Sequence, residues 1–427
     1  MSSTSSSALL RVAHHFSSPT RFFVAGVSFL ALSFMSGCAS APEPVQSGGG
    51  QIPQRPTETV RDAYKIAATN KVTPSNMIGR PIVRVALLAP FSSPNAALRD
   101  EAQTLKNAAE LAIAERGDNS MLLMSKDSGD SAEQARNAVR LALQEGADFV
   151  LGPLFASGVG AIAPYARANN VPMISFSTDT SQAGRGVYVL TFLPEDEAQR
   201  IVGFAASRGV KRLIILAPTG RYGDRIVEAA SAKAREVGVS FLGATRYDPL
   251  APAMASAQEA ARRAAQLAAG GPNRETAILI PERGALLRTM AQTLTQAGAS
   301  TTRVRYLGTG LWNDLETLAD ARLAGGWFVT PDPTARAAFE QRFRQKYGRR
   351  PTRLAGMGYD ATAMLAGMTR GGNAATASQR AIETSDGFIG VDGLFRFNRG
   401  VVQRGMAINE VGPRGGRTID AAPTRFQ

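Results

Sequence analysis

The sequence predicts an α/β protein of two doubly wound parallel-sheet lobes, and three observations carry that expectation. Residues 148–179, DFVLGPLFASGVGAIAPYARANNVPMISFSTD, hold two short β-branched apolar runs at 149–151 and 171–174. Between them, the segment 157–168 puts Val159, Ile162, Ala163 and Ala166 on one helical face. That is a strand, a crossover helix and a parallel strand, a connection that is right-handed. The same alternation fills residues 82–178 and repeats over 195–330. A chain of 427 residues is long enough for two such units with separate cores.

Taken in order, the chain begins with an export signal. Arg11 and Arg21 flank a Ser-rich, acid-free region, 22–34 is a mostly apolar run, and MSGC follows at 35–38. The run is too short to span a bilayer and fits a secretory signal. Ser36 and Gly37 before Cys38 form the pattern of a lipoprotein signal, so residues 1–37 are expected to be removed and Cys38 acylated. Ala39 in place of Asp resembles sorting to the outer membrane. Residues 38–76 are expected to be a lipidated, flexible tether, rich in Pro, Gly, Ser and Gln over 39–56. A short helix is expected over 58–68, with Val60, Tyr64 and Ala67 on one side. No internal repeat is visible.

Composition excludes most enzyme classes. Both histidines, His14 and His15, lie in the signal, and Cys38 is the only cysteine. Ser-His-Asp and Cys-His catalysis and His or Cys metal sites therefore have no residues to use. No Ser-x-x-Lys, KTG, GxSxG or Walker loop occurs, and Gly308-Thr309-Gly310 is no dinucleotide fingerprint. Glu195, Asp196 and Glu197 stand where acids favour the start of a helix. The protein is expected not to be an enzyme, and to need no cofactor and no nucleic-acid partner. Its formal charge of +13 falls to +11 without Arg11 and Arg21, and only seven of 48 basic residues are lysine. The one local concentration is Arg342, Arg344, Lys346, Arg349, Arg350 and Arg353, read as a solvated face that also offers a partner contact.

The first lobe opens with a buried strand at 82–89 and a helix at 95–115 that places Leu98, Ala102, Leu105, Ala109 and Ile113 at helical spacing. A strand at 121–125 and a helix at 132–144 lead into the 148–179 unit. In the second lobe, helices are expected at 195–207, 222–237, 253–268 and 286–297. Strands are expected at 213–216, 240–245, 277–280 and 303–307. Helices at 335–347 and 357–368 follow.

GPLFASG at 152–158 followed by VPMISFSTD at 171–179 resembles the type I periplasmic-binding fold, the family of leucine/isoleucine/valine-binding proteins. Gly-Pro-Leu after the third strand is most similar to the branch of lipoproteins that activate penicillin-binding proteins. Trp327 to Thr330 resembles the strand at which this family crosses back, and FIGVDGLFRFNRG at 388–400 resembles its terminal hairpin. The resemblance implies two discontinuous lobes, 77–192 with 331–392 and 193–330 with 393–427, joined by three adjacent crossovers that act as a hinge. It also implies a cleft between them. The positions that match the family's carboxylate-holding hydroxyls are Ser157, Ser177 and Thr178, beside a helix start able to bind an anion. Tyr222, in RYGD, matches the aromatic that covers the ligand from the other lobe. Asp179, Asp248 and Glu282 are candidates for an ammonium partner.

Two functions follow from the resemblance. One is an outer-membrane-anchored, non-enzymatic activator of a peptidoglycan synthase, reached from the lipid at Cys38. The other is the substrate-binding protein of an ABC importer for an amino acid or similar small polar solute. Some relatives of the activator branch carry a preceding helical-repeat domain, for which this chain is expected to have no room.

Overall fold

The computed structural model describes residues 61–117 and 119–426. The expected signal, Cys38 and the tether as far as residue 60 lie outside them. The first lobe runs β1 (Val83–Ala89), α1 (Ala96–Arg116), β2 (Met121–Asp127), α2 (Ala132–Gln144), β3 (Phe149–Leu151), α3 (Ala156–Ala168), β4 (Met173–Ser175) and β5 (Val187–Val189). The second runs α4 (Pro194–Ser207), β6 (Arg212–Pro218), α5 (Arg221–Glu236), β7 (Ser240–Tyr247), α6 (Ala255–Ala268), β8 (Thr276–Leu279), α7 (Gly284–Gln296), β9 (Arg305–Gly308), α8 (Leu315–Leu318) and β10 (Trp327–Thr330). The chain then returns through α9 (Pro333–Tyr347), α10 (Ala355–Met368), α11 (Gln379–Ile382), β11 (Phe388–Gly390), β12 (Gly393–Asn398) and β13 (Val401–Arg404). It ends with β14 (Ala407–Gly412) and β15 (Gly415–Asp420).

These strands form two sheets, ordered β11-β12-β13-β5-β4-β3-β1-β2 and β15-β14-β10-β9-β8-β6-β7. The βα strands pair in parallel, and each sheet reverses its order at the first strand of its lobe, β1 or β6. Helices cover both faces of each sheet, as buried parallel strands require. On the first, Val159, Ile162, Ala163 and Ala166 of α3 pack with Val150 and Met173, while Met357 and Leu365 of α10 pack with Val85 and Leu87 on the opposite face. On the second, Ile201 of α4 and Ile226 of α5 cover one face, and the alanines of α6 with Leu287 and Leu294 of α7 the other.

The chain crosses between the lobes three times, after β5, after β10 and after β13. The last crossing corrects the division expected at residue 393. β12 and β13 stay in the first sheet, where β13 pairs in parallel with β5, and Phe395, Phe397 and Val402 enter the first-lobe core. Only β14 and β15 join the second sheet, β14 running antiparallel to β10 from Trp327↔Glu410 to Thr330↔Ala407. The expected hairpin at 388–400 is accordingly part of a three-stranded meander. β5 has only three residues, too few to show a period, and it is recognisable only through its pairing with β4 and β13.

The expected tether is corrected from residue 61 onward. The helix expected over 58–68 is reduced, within the described residues, to one 3-10 turn at Asp62–Tyr64, after which the chain lies extended along the first lobe as a strap. Asn169, just past α3, holds it: its Oδ1 accepts the Ile66 N–H at 2.9 Å, and its Nδ2 donates to the Tyr64 carbonyl at 2.9 Å. The Tyr64 ring meets Tyr165 edge-on, with centroids 5.0 Å apart. Further along, Asn70 and Val72 donate to the carbonyls of Gln144 and Glu145 at the end of α2, groups a helix terminus leaves unsatisfied. Arg84 closes the strap by donating to Val72 O and Thr73 Oγ1.

Candidate functional site

The cleft lies at the carboxyl ends of the strands, between the lobes, where open α/β sheets place their ligands. Its volume is about 780 Å³. Leu98, Phe155, Phe176 and Leu354 supply apolar wall from the first lobe, and Tyr222 and Leu311 from the second. Gly152 shapes the first-lobe side. It sits at φ +89°, and a Cβ there would meet the Leu88 carbonyl oxygen at 2.1 Å, so no other residue lets the chain turn out of β3 at this spot.

Ser177, Thr178 and Tyr222 line this space together, whereas Ser157 does not. Ser157 is exposed on the first turn of α3, and Phe155 and Ala156 form the wall at that helix start. Ser177 is buried, and its Oγ accepts the Asp179 N–H at 3.1 Å. Thr178 is exposed to the cleft. The Tyr222 hydroxyl is sealed from solvent beside the Thr309 hydroxyl, and burial, followed by the charge of Glu197, pushes its ionisation well above the usual tyrosine range. Asp248 and Glu282 are not in the wall. Asp248 Oδ1 accepts Leu250 N–H, and Glu282 accepts the Tyr247 hydroxyl at 2.6 Å.

Sequence reasoning missed Glu101, Glu197, Arg225, Arg283 and Arg353, which carry most of the cleft's charge. They sit on helix starts and on the loop before α10, so no strand-end signal points to them. Glu197 was read as an acid favouring the helix start, and Glu195, Asp196 and Glu197 do occupy the first turn of α4. Their side chains have further partners. Arg225 holds Glu195 through two bonds of 2.5 and 2.7 Å. Glu197, 4 % exposed, accepts Arg353 Nη2 at 2.7 Å and Gly310 N–H at 3.2 Å. Arg353 belongs to the first lobe and Glu197 to the second, so this pair ties the lobes together across the base of the cleft. Asp196 is left between two charged neighbours, and burial first, then Glu195 and Glu197, raise its pKa to about 6.

Each carboxylate of the wall is engaged. Glu101 accepts the Thr352 hydroxyl at 2.6 Å, and its pKa is raised, chiefly by burial. Asp179 accepts Ser181 N–H at 2.9 Å, and its pKa is lowered by that bond, with Arg221 and Arg225 contributing from the other lobe. Arg221 and Arg283 make no ion pair among the described residues. The same residues contain no cluster of acids placed to hold a metal, and no helix long and apolar enough to cross a membrane. The arrangement offers apolar wall and two guanidiniums outside any ion pair among the described residues, a surface suited to binding.

Two lobes of this topology on a triple crossover, with a cleft at the strand ends, define the class of hinged two-lobe binding proteins. The profile of the periplasmic binding protein family matches residues 82–417, and the chain belongs to that family. A penicillin-binding protein activator LpoA from Pectobacterium parmentieri is 31% identical over 113 residues, 26% of this chain and 17% of the relative. A Leu/Ile/Val-binding protein homolog 6 from Brucella abortus is 27% identical over 142 residues, 31% of this chain and 36% of the relative. The chain thus aligns with well under two thirds of either relative's length. Among solved structures, a putative branched-chain amino acid ABC transporter protein from Rhodospirillum rubrum superposes with a TM-score of 0.66 at 17% identity, over 79% of this chain and all of the other. That likeness establishes the fold.

Proposed function

We propose that the protein is a non-enzymatic lipoprotein of the periplasmic face of the outer membrane, anchored at Cys38, that activates a peptidoglycan synthase of the penicillin-binding protein type through its surface. The observation that carries this reading is the Arg353–Glu197 pair, which occupies the base of the cleft with the protein's own charges. With Glu197 neutralised by Arg353, an α-ammonium finds no uncompensated carboxylate at the base of the cleft, and the hydroxyl expected at the start of α3 is not in the wall. The sequence similarity to an LpoA activator supports the same reading. The test is stimulation of a purified synthase by the full chain. Ser177→Ala with Thr178→Ala should leave stimulation intact, and a loss equal to that of the untreated blank would move the activity into the cleft. Separately, Cys38→Ser should release the protein from washed membranes; unchanged retention overturns the anchor.

A second reading, the substrate-binding protein of an importer, is favoured by Arg221 and Arg283, which line the cleft and make no ion pair among the described residues. These groups suit a small carboxylate rather than a zwitterion. A ligand at about a hundred times its dissociation constant adds about 2.7 kcal/mol of stability, so a thermal-shift screen of amino acids and simple carboxylates decides it.

A further inference from the structure

A second recess opens at the opposite end of the first sheet, below the amino-terminal ends of β3, β4 and β5, with a volume of about 670 Å³. One wall is the strap, through Ile66, Ala68 and Lys71; the other is the lobe itself. Three cations, Lys71, Arg167 and Arg185, border it against one carboxylate, Asp148. Asp148 accepts the Arg84 N–H at 2.7 Å, and burial raises its pKa against the charges of Arg84 and Lys71.

Neither arginine makes an ion pair with a described residue. Arg167 donates only to Gln182, to its side-chain oxygen at 3.3 Å and its carbonyl at 2.7 Å, and the Arg167 Nε is sealed from solvent with no partner. Burial first, and the neighbouring Arg185 guanidinium second, pull the Arg167 pKa below its usual range. Arg185 stands at φ +52° between two glycines, in a left-handed turn that aspartate, asparagine or glycine adopts more readily. Tyr188 borders the recess from the opposite face of the sheet, where its ring packs on Phe397 and the charge of Glu383 acts on its hydroxyl.

We propose that this recess is a binding site for an oxyanion, a carboxylate or phosphate ester, held between Arg167 and Arg185 with Lys71 closing from the strap. Two guanidiniums match the planar oxygens of such a group, and an anion between them relieves their mutual repulsion. The site is distinct from the cleft and independent of its function. Since one wall is the strap, occupancy fastens the strap to the lobe.

The test is calorimetric titration of the full chain with inorganic phosphate, glycerol 3-phosphate and N-acetylmuramic acid, with N-acetylglucosamine as the neutral control. At least one anion should bind, more weakly as salt rises, and should slow amide exchange at residues 64–72. The phosphate and sugar-carboxylate arms distinguish a lipid-type from a wall-type source. Arg185→Asn keeps the left-handed turn, and Tyr188→Phe, on the opposite face of the sheet, is the control. The first should weaken binding at least tenfold and the second leave it unchanged, with an unchanged melting temperature. No binding by any of the three anions, equal binding of the neutral sugar, or affinity unaltered in Arg185→Asn overturns the proposal.

Discussion

Single residues decide three of the molecule's most consequential connections. Asn169 replaces a strand partner for the strap, and Asn169→Ala removes two bonds to it together with one to the Tyr165 carbonyl. The expected cost is about 1–3 kcal/mol. It should appear in urea unfolding and as faster amide exchange at residues 64–72. Gly310 leaves room for the pair that links the lobes, since a Cβ there would lie 2.6 Å from Arg353 Nη2 and 2.7 Å from Glu197 Oε1. At the hinge, Asp360 is enclosed beside Asp392 and Arg404, and its Oδ1 accepts the Val391 N–H at 2.7 Å. Burial first and Asp392 second raise the Asp360 pKa to about 7, against the pull of Arg404. The folded state therefore holds this proton more tightly than the unfolded chain, whose aspartates titrate near about 3.9. Its contribution to stability is full below that value and is lost as pH rises through about 7. Asp360→Asn keeps the acceptor and removes the charge, so its stability relative to wild type should rise between pH 5 and pH 8 by urea midpoint. An identical difference at both pH values would show that Asp360 does not titrate there.

At the level of elements, the arginine-rich stretch around α9 divides into two sets. Arg342 reaches Glu115 on α1 at 2.9 Å, Arg349 reaches Asp100 at 2.5 Å, and Arg353 reaches Glu197. Those three are built into the lobe contacts, which no count of charges along the sequence reveals. Arg344, Lys346 and Arg350 remain exposed without ion pairs among the described residues. If a synthase is the partner, reversing that exposed set to Glu should slow association more at low salt than at high, because steering acts within a Debye length of about 10 Å at 0.1 M salt. Arg342→Glu would instead place two acids together and lower stability. Equal association of the exposed-set variant at low salt would leave α9 as a solvated face. The strap follows the same logic. It falls within the expected tether of 38–76, yet its backbone finds the end of α2 and the side chain of Asn169.

For the molecule as a whole, the cross-lobe pair is a direct electrostatic tie between the lobes, and its removal is expected to favour a more open arrangement. Glu197→Gln retains an acceptor for the Gly310 N–H but removes the attraction to Arg353. Scattering should then report a larger radius of gyration with little loss of stability. Arg353→Ala should cost more, about 1–3 kcal/mol, because it leaves the nearly enclosed Glu197 charge with only a backbone partner. An unchanged radius in both variants would mean that the three crossovers alone hold the lobes. In that case the pair matters to the cleft's charge and not to its width.

Periodicity alone determined the βα alternation of both lobes, because burying one face of a helix on a sheet imposes a local spacing that the sequence must carry. The face of α3 is the clearest instance, with all four predicted residues in the core. Chemistry by exclusion was equally legible, since a described chain without histidine or cysteine needs no coordinates to rule out their catalysis. What the tertiary structure decided was everything made of pairs distant in sequence. Glu197 meets Arg353, β13 meets β5, and Asn169 holds the strap around Tyr64 and Ile66. None of these has a local period or a fixed spacing, and a charge or an amide acquires a role only when folding supplies its partner. The cleft was therefore foreseeable as a place, and its charge pattern was not.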